Sequence, residues 1–252
     1  MSPVSSSTLF HFTNKMRHLV DILTNEFYPH YSLEDLGRIQ DAQVSSASAM
    51  FAFPLVAFCD IPLSQASVHM STYGRYAIGL TKEWGMRMRI APVVYCYPDS
   101  PASRSIATLL RLTAGEGKGR PNELVAGQFG YLSAFLKPYE GPSRRRGKQQ
   151  ARVRFYDERE WRYVPSGVSL PVLSQEEYLD PATLKRANQE ARTLFSPLSF
   201  EPSDIRYIVV RRESEILPMI RSIEQAKGKY DEDTVKVLAS RIISTQSIRR
   251  DF

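Results

Sequence analysis

The sequence predicts an α+β fold: a single domain with a mixed, mainly antiparallel β core flanked by helices. Three observations lead there. Short aromatic and β-branched runs recur at 9–13 (LFHFT), 51–58 (FAFPLVAF), 75–80 (RYAIGL), 92–97 (PVVYCY) and 204–210 (DIRYIVV). Apolar residues at helical spacing fill stretches between and after them. No internal repeat, low-complexity tract or linker rich in Pro, Gly or Ser cuts the 252 residues, a length sufficient to bury a real core.

The elements follow in order. After strand 9–13, Thr13 or Asn14 is placed to cap a helix carrying Met16, Leu19, Val20, Leu23 and Phe27, which Pro29 ends. Residues 30–50 read as a polar connection with one helical turn. The apolar run 51–58 suits one or two buried strands despite Pro54. Ser64 is a cap for a short helix ending near Tyr73-Gly74, and Thr81 caps a brief one that Gly85 closes. Ser100-Pro101 is a helix start, a cap followed by proline in the first turn. A second helix runs from about Asn122 to Leu136 and leads into a basic loop. Residues 153–164 read as one strand with a bulge, and its alternation puts Glu158, Glu160 and Arg162 on one face. Helices at about 180–194, 213–226 and 231–243, and an edge strand at 247–252, complete the reading.

Composition bounds the function. Apolar residues make up 42 % and charged residues 24 %, which excludes a disordered chain. No apolar run approaches the roughly 20 residues that span a bilayer, and the N-terminus lacks the pattern of a secretory signal. Two cysteines, Cys59 and Cys96, exclude a disulfide scaffold and a thiolate-built metal site. A cytoplasmic protein without membrane contact is expected. The net charge of +6 equals the six basic residues of 144–154: Arg144, Arg145, Arg146, Lys148, Arg152 and Arg154. The remainder holds 27 basic and 27 acidic residues and is neutral. The segment therefore reads either as a solvated loop or as a contact for phosphates and a nucleic-acid target.

Phosphate-loop, dinucleotide, zinc-protease and nucleophile-elbow motifs are absent from the sequence. The histidines 11, 18, 30 and 69 lack metal-ligand spacing, so no metal is expected. Three patches carry chemistry. His11 sits within an apolar strand and needs a partner. The second patch runs from Phe58-Cys59-Asp60 through His69 to Tyr73-Gly74-Arg75-Tyr76. Cys59 is no nucleophile there, because an apolar strand and an adjacent acid raise a thiol pKa. The third is YDEREWR at 156–162, where Glu160 is placed to stabilise positive charge in a transition state.

Four blocks then resemble the AbiGi family of bacterial abortive-infection proteins, which is linked to phage resistance and labelled antitoxin. They are LFHFTNKMRHLVDIL, FCDIPLSQASVHMSTYGRYAIGLTKEWG, YDEREWRYVP and SFEPSDIRYIVVRR. The resemblance covers most of the chain, with a gap at roughly 98–150, read as a helical insertion within the 1–252 domain that ends in the basic loop. The order of blocks is also similar to a distant ADP-ribosyltransferase fold. That likeness implies NAD as substrate, held by His11, Thr13, Tyr73 and Tyr76. His11 would contact the ribose and Tyr73, with Tyr76 second, would stack on nicotinamide. Glu160 would be the catalytic carboxylate, with Glu158 orienting the acceptor.

Three function classes result. The first is an NAD-dependent ADP-ribosyltransferase-like enzyme that modifies a macromolecule in phage defence. The alternative is a non-catalytic antitoxin or sensor that grips a toxin or antitoxin partner protein. The third is a nucleic-acid binder or nuclease working through the basic loop, with Asp60, Glu158 and Glu160 as its acids.

Overall fold

A computed structural model describes residues 5–40, 49–113, 123–145, 148–166, 170–226 and 231–251. The chain runs β1 (Thr8–Thr13), α1 (Met16–Asn25), β2 (His30–Asp35), α2 (Gly37–Gln40), β3 (Met50–Cys59), α3 (Ala66–Thr72), β4 (Tyr76–Thr81) and α4 (Lys82–Arg87). It continues through β5 (Ala91–Pro92), β6 (Val94–Cys96), α5 (Pro101–Thr113), α6 (Glu123–Ser133), β7 (Leu136–Pro138), β8 (Glu140–Arg145), β9 (Lys148–Arg154) and β10 (Glu160–Tyr163). The last third holds β11 (Leu173–Ser174), α7 (Gln175–Leu179), α8 (Pro181–Leu194), β12 (Ile205–Val210), α9 (Ile216–Ala226), α10 (Glu232–Ser240), β13 (Ile242–Ser244) and α11 (Thr245–Asp251). These pack as two compact units. The first comprises Met1–Phe27, Ala57–Ala91 and Pro197–Phe252, and the second Tyr28–Val56 and Pro92–Ser196.

In the first unit β1 lies between β4 and the end of β3, antiparallel to both, with Phe10 opposite Cys59 and Gly79. β12 joins the far side of β4 antiparallel, and β13 joins β12 in parallel. Strand alternation gives β1 two covered faces. Phe10 packs with Ile61, Met70, Ala77, Val209 and Ile248, and Phe12 packs against that cluster. His11 faces the other way, onto Phe27 and Phe58. There Phe27, Phe58, Trp84 and Phe200 interlock, with centroids 5.3–5.5 Å apart for Phe27–Phe58, Phe58–Trp84 and Phe27–Phe200. The Trp84 indole N–H donates to the Ser199 carbonyl at 2.9 Å, so the ring is buried without an orphaned donor. Two glycines permit close approach. A Cβ on Gly79 would stand 2.8 Å from the Phe10 ring, and one on Gly74, at φ +145°, would lie 2.0 Å from the Thr13 carbonyl oxygen.

In the second unit β2 pairs antiparallel with β3 over its whole length, from His30 opposite Leu55 to Asp35 opposite Met50. α8 covers this pair through Ala187 and Ala191, joined by Phe195 just after the helix, and all three pack with Tyr31 and Ala52. The Asn188 side-chain oxygen accepts the Tyr31 N–H at 3.0 Å. β6 and β7 pair in parallel, and β8 and β9 form an antiparallel hairpin. β10 is anchored by its first residue: Val93 N–H donates to the Glu160 carbonyl at 3.0 Å, and Glu160 N–H to the Tyr95 hydroxyl at 2.9 Å.

The mainly antiparallel sheet with flanking helices agrees with the expected α+β class. Local helix starts also agree where a cap is present: Ser100 accepts from Ser103 N–H, Thr81 from Trp84 N–H and Asp180 from Thr183 N–H. Several expectations need correction. Neither Thr13 nor Asn14 caps α1. Thr13 stays in β1, Lys15 is the flanking residue, and Glu26, at φ 66°, ends the helix before Pro29. Ser64 caps nothing, because a tight turn over Leu63–Gln65 precedes α3. The connection 30–50 contains β2, whose polar composition concealed it. Residues 153–164 are interrupted by a 3-10 turn at Phe155–Glu158, with Arg159 left-handed at φ 47°. The described parts of the basic run lie in β8 and β9, with Arg145 opposite Lys148, where a loop was expected. At the C-terminus strand and helix are exchanged. Ile242 and Ile243 pair with β12, and the expected edge strand is α11.

Candidate functional site

The densest chemistry lies in the second unit, where five ionisable side chains are buried together. Glu34 comes from β2, Lys137 from β7, Glu158 from the turn before β10, and Glu160 and Arg162 from β10. All are under a tenth exposed, and Arg162 is 0 % exposed. The break at Phe155–Glu158 replaces simple alternation, yet Glu158, Glu160 and Arg162 still point into one interior.

Every ion in this cluster is paired. Lys137 Nζ donates to Glu158 Oε2 at 2.8 Å and to Glu160 Oε2 at 2.5 Å. Arg162 Nε donates to Glu160 Oε1 at 2.7 Å, Nη2 to Glu34 Oε1 at 2.5 Å and Nη1 to the Ala134 carbonyl at 2.6 Å. Three carboxylates thus share two cations, and the electrostatics resolve the imbalance. Burial raises the Glu34 carboxyl, and Arg162 and Lys137 only partly offset it. Burial also acts to raise Glu160, but Arg162 and Lys137, by charge and hydrogen bond, reverse it and hold the pKa down at about 2. Burial would lower Lys137, whereas Glu160, Glu34 and Glu158 hold it above its ordinary value. The Tyr95 hydroxyl is pushed up by burial. Glu34 and Glu160 are therefore shifted in opposite directions although both accept from Arg162.

Cations hold both carboxylates that were expected to carry the chemistry. Each Glu160 oxygen already accepts from a cation, so its charge is neutralised before any ligand arrives. Glu158 is held by the same lysine. In a buried network of this kind, removing one partner costs about 3–5 kcal/mol, because an uncompensated charge remains.

Of the other expected site residues, His11, Thr13, Asp60, Tyr73 and Tyr76 lie in the first unit and the basic run lies in the second. His11 Nδ1 donates to the Ala57 carbonyl at 2.9 Å, and its ring meets Phe27 edge-on at 5.2 Å. Thr13 Oγ1 lies 3.2 Å from His18 Nδ1. Tyr73, at the end of α3, stacks on His69 at 5.8 Å. Tyr76 stands opposite Thr13 across the β1–β4 pair, and its hydroxyl donates to Glu215 Oε1 at 2.9 Å. Thr13, Tyr73 and Tyr76 are thus neighbours around Gly74. Asp60 accepts from Ser5, Ser6 N–H and Lys82 at 2.7–2.9 Å, tying the chain start to α4. Of the basic run, Arg152 makes a two-pronged pair with Glu140 at 2.9 and 2.5 Å, and Arg154 lies 3.8 Å from Asp157. The backbones of Arg144, Arg145 and Lys148 belong to the hairpin, but their side chains, and Arg146 entirely, lie outside the described residues.

Sequence reasoning missed Glu34 and Lys137. The available signal for Lys137 was a lone cation in the apolar stretch AFLKPY; Glu34 carried none. Among the described residues no group of three His, Cys, Asp or Glu could hold a metal ion. No helix among them is long and apolar enough to cross a membrane.

Comparison with known proteins gives a consistent picture. A family described as "Putative abortive phage resistance protein AbiGi, antitoxin" matches residues 25–211, more than half of the chain. The chain is also 28 % identical over 247 residues to the abortive phage resistance protein AbiGi of Lactococcus lactis subsp. cremoris, covering 90 % of this chain and 99 % of that relative. No solved structure matches, so the expected ADP-ribosyltransferase likeness gains no structural neighbour. With that match running from the end of α1 through β12 and taking in the whole buried cluster, the chain belongs to the AbiGi family of abortive phage resistance proteins.

Proposed function

We propose that this protein is a non-catalytic component of an abortive-infection system, an antitoxin that restrains a cognate toxin by direct protein contact. The observation that carries this reading is the state of Glu160. The carboxylate expected to do the chemistry has each oxygen held by a buried cation, Arg162 on one and Lys137 on the other. A second observation supports contact with a protein. α5 and α6 expose apolar side chains, among them Leu112 at 51 % and Leu132 at 42 %, and exposed apolar residues of this kind are what partner surfaces use. The description of the family as an antitoxin agrees.

The test is co-expression with the product of the neighbouring gene. The expected result is relief of that product's toxicity together with co-purification of the two chains; persistent toxicity with no complex would sink the proposal. NAD-dependent ADP-ribosyl transfer through His11, Tyr73 and Glu160 makes the opposite demand. It requires NAD turnover with cell extract, and loss of phage protection in Glu160→Gln protein that is still folded. Both outcomes together would replace the antitoxin reading with the enzyme.

A further inference from the structure

The first unit contains a cavity of about 330 Å³ lined by Arg75, Arg211, Arg212, Arg249 and Arg250, with Thr245 and Gln246. It is separate from the buried cluster and was not foreseen from the sequence. Three parts of the chain meet there. Arg75 directly precedes β4, Arg211 and Arg212 directly follow β12, and Arg249 and Arg250 lie on α11. The framework is held from below. Thr245, 2 % exposed, donates its hydroxyl to the Arg75 carbonyl at 2.9 Å.

The fold gathers five guanidinium groups, which stay charged at any physiological pH, with few carboxylates beside them among the described side chains. Among the described side chains, two carboxylates lie close. Glu215 directs its oxygens elsewhere, Oε1 to the Tyr76 hydroxyl and Oε2 to the backbone N–H groups of Arg211 and Arg212. Glu213 stands 3.9 Å from Arg250 and 3.5 Å from Ser247. Among the described residues, Arg250 alone of the five has a carboxylate within 4 Å. Like charges brought together repel, and the repulsion is relieved when an anion enters. Guanidinium forks match phosphate oxygens two at a time, and the cavity is at the lower end of the roughly 300–1,000 Å³ typical of small-ligand sites.

We propose that this cavity is a binding site for a compact oligophosphate anion, such as the phosphate chain of a nucleotide, held by the five arginines. Its volume of about 330 Å³ suits a small anion.

The experiment is calorimetric titration of the full chain with inorganic tripolyphosphate at near-physiological ionic strength. Saturable binding is expected, weakened about tenfold or more in an Arg211→Gln/Arg212→Gln variant. All five arginines are exposed, so folding should survive, and a thermal melt checks it. Should that variant fail to fold, Arg75→Gln serves in its place. An Arg206→Gln/Arg221→Gln variant removes the same charge elsewhere on the unit and should bind as the parent does. Absence of saturation, or equal weakening by the two double variants, overturns the proposal. A labelled single-stranded RNA distinguishes the phosphate source: RNA that binds through Arg211 and Arg212 and is not displaced by tripolyphosphate would make the feature a nucleic-acid surface and overturn the compact-anion site.

Discussion

Glu34 and Glu160 share Arg162, yet burial and pairing drive their carboxyls in opposite directions. Their neutral analogues should therefore behave differently. Glu34→Gln keeps an oxygen for Arg162 and discards a charge that burial disfavours, so its effect at neutral pH should be within about 1 kcal/mol. Glu160→Gln leaves two buried cations short of their common partner and should cost about 3 kcal/mol or more. Urea unfolding measures both, and equal losses would contradict the account. The pH dependence follows with its sign. Glu160 has a folded pKa of about 2 against an ordinary 4.5, so its stabilisation is complete above pH 4.5 and disappears as pH falls toward 2. Glu34 is raised, so its contribution is complete below 4.5 and is lost as pH rises through the folded value. Glu34→Gln should remove that second decline, which a series of unfolding curves across pH would reveal. At this scale the sequence announced Glu158, Glu160 and Arg162 by strand alternation. Lys137 showed only as a lone cation in an apolar stretch and Glu34 not at all, because their partners lie more than twenty positions away.

Among the elements, local chemistry was legible and remote pairing was not. Ser100, Thr81 and Asp180 mark helix starts because a cap acts within three residues. β2 and β13 are strands because of what they pair with, β3 and β12, and neither HYSLED nor IIS declares a partner by itself. Gly74 is the sharpest local constraint. Its φ of +145° and the Thr13 carbonyl 2.0 Å from any Cβ fix the join of α3 to β4. Gly74→Ala should destabilise the protein by about 2 kcal/mol or more, since the backbone must move to admit a methyl group. A melting temperature within a degree or so of the parent would show that the join tolerates a shift.

For the whole molecule, the sequence placed the excess charge in residues 144–154. The structure pairs two of those arginines with Glu140 and Asp157 and assembles a second basic concentration around Arg75, Arg211 and Arg249, from positions far apart in the chain. Charge runs are visible in a sequence, whereas charge gathered by folding is not. The partner-binding reading belongs to this scale too. Leu112→Asp with Leu132→Asp should abolish co-purification with the toxin while leaving the melting temperature nearly unchanged, because both side chains face solvent in the free protein. Retained co-purification would place the partner surface elsewhere.

The partition of the chain has a consequence for synthesis. The first unit draws on three separate stretches, and the second is threaded through them in two. β4 needs β12, which leaves the ribosome more than a hundred residues later. At about 5–20 residues per second the open edge of β4 waits on the order of ten seconds for its neighbour. A nascent chain cannot complete its first unit until Pro197–Phe252 has emerged, so premature termination anywhere before β12 should yield an aggregation-prone fragment instead of a smaller working protein.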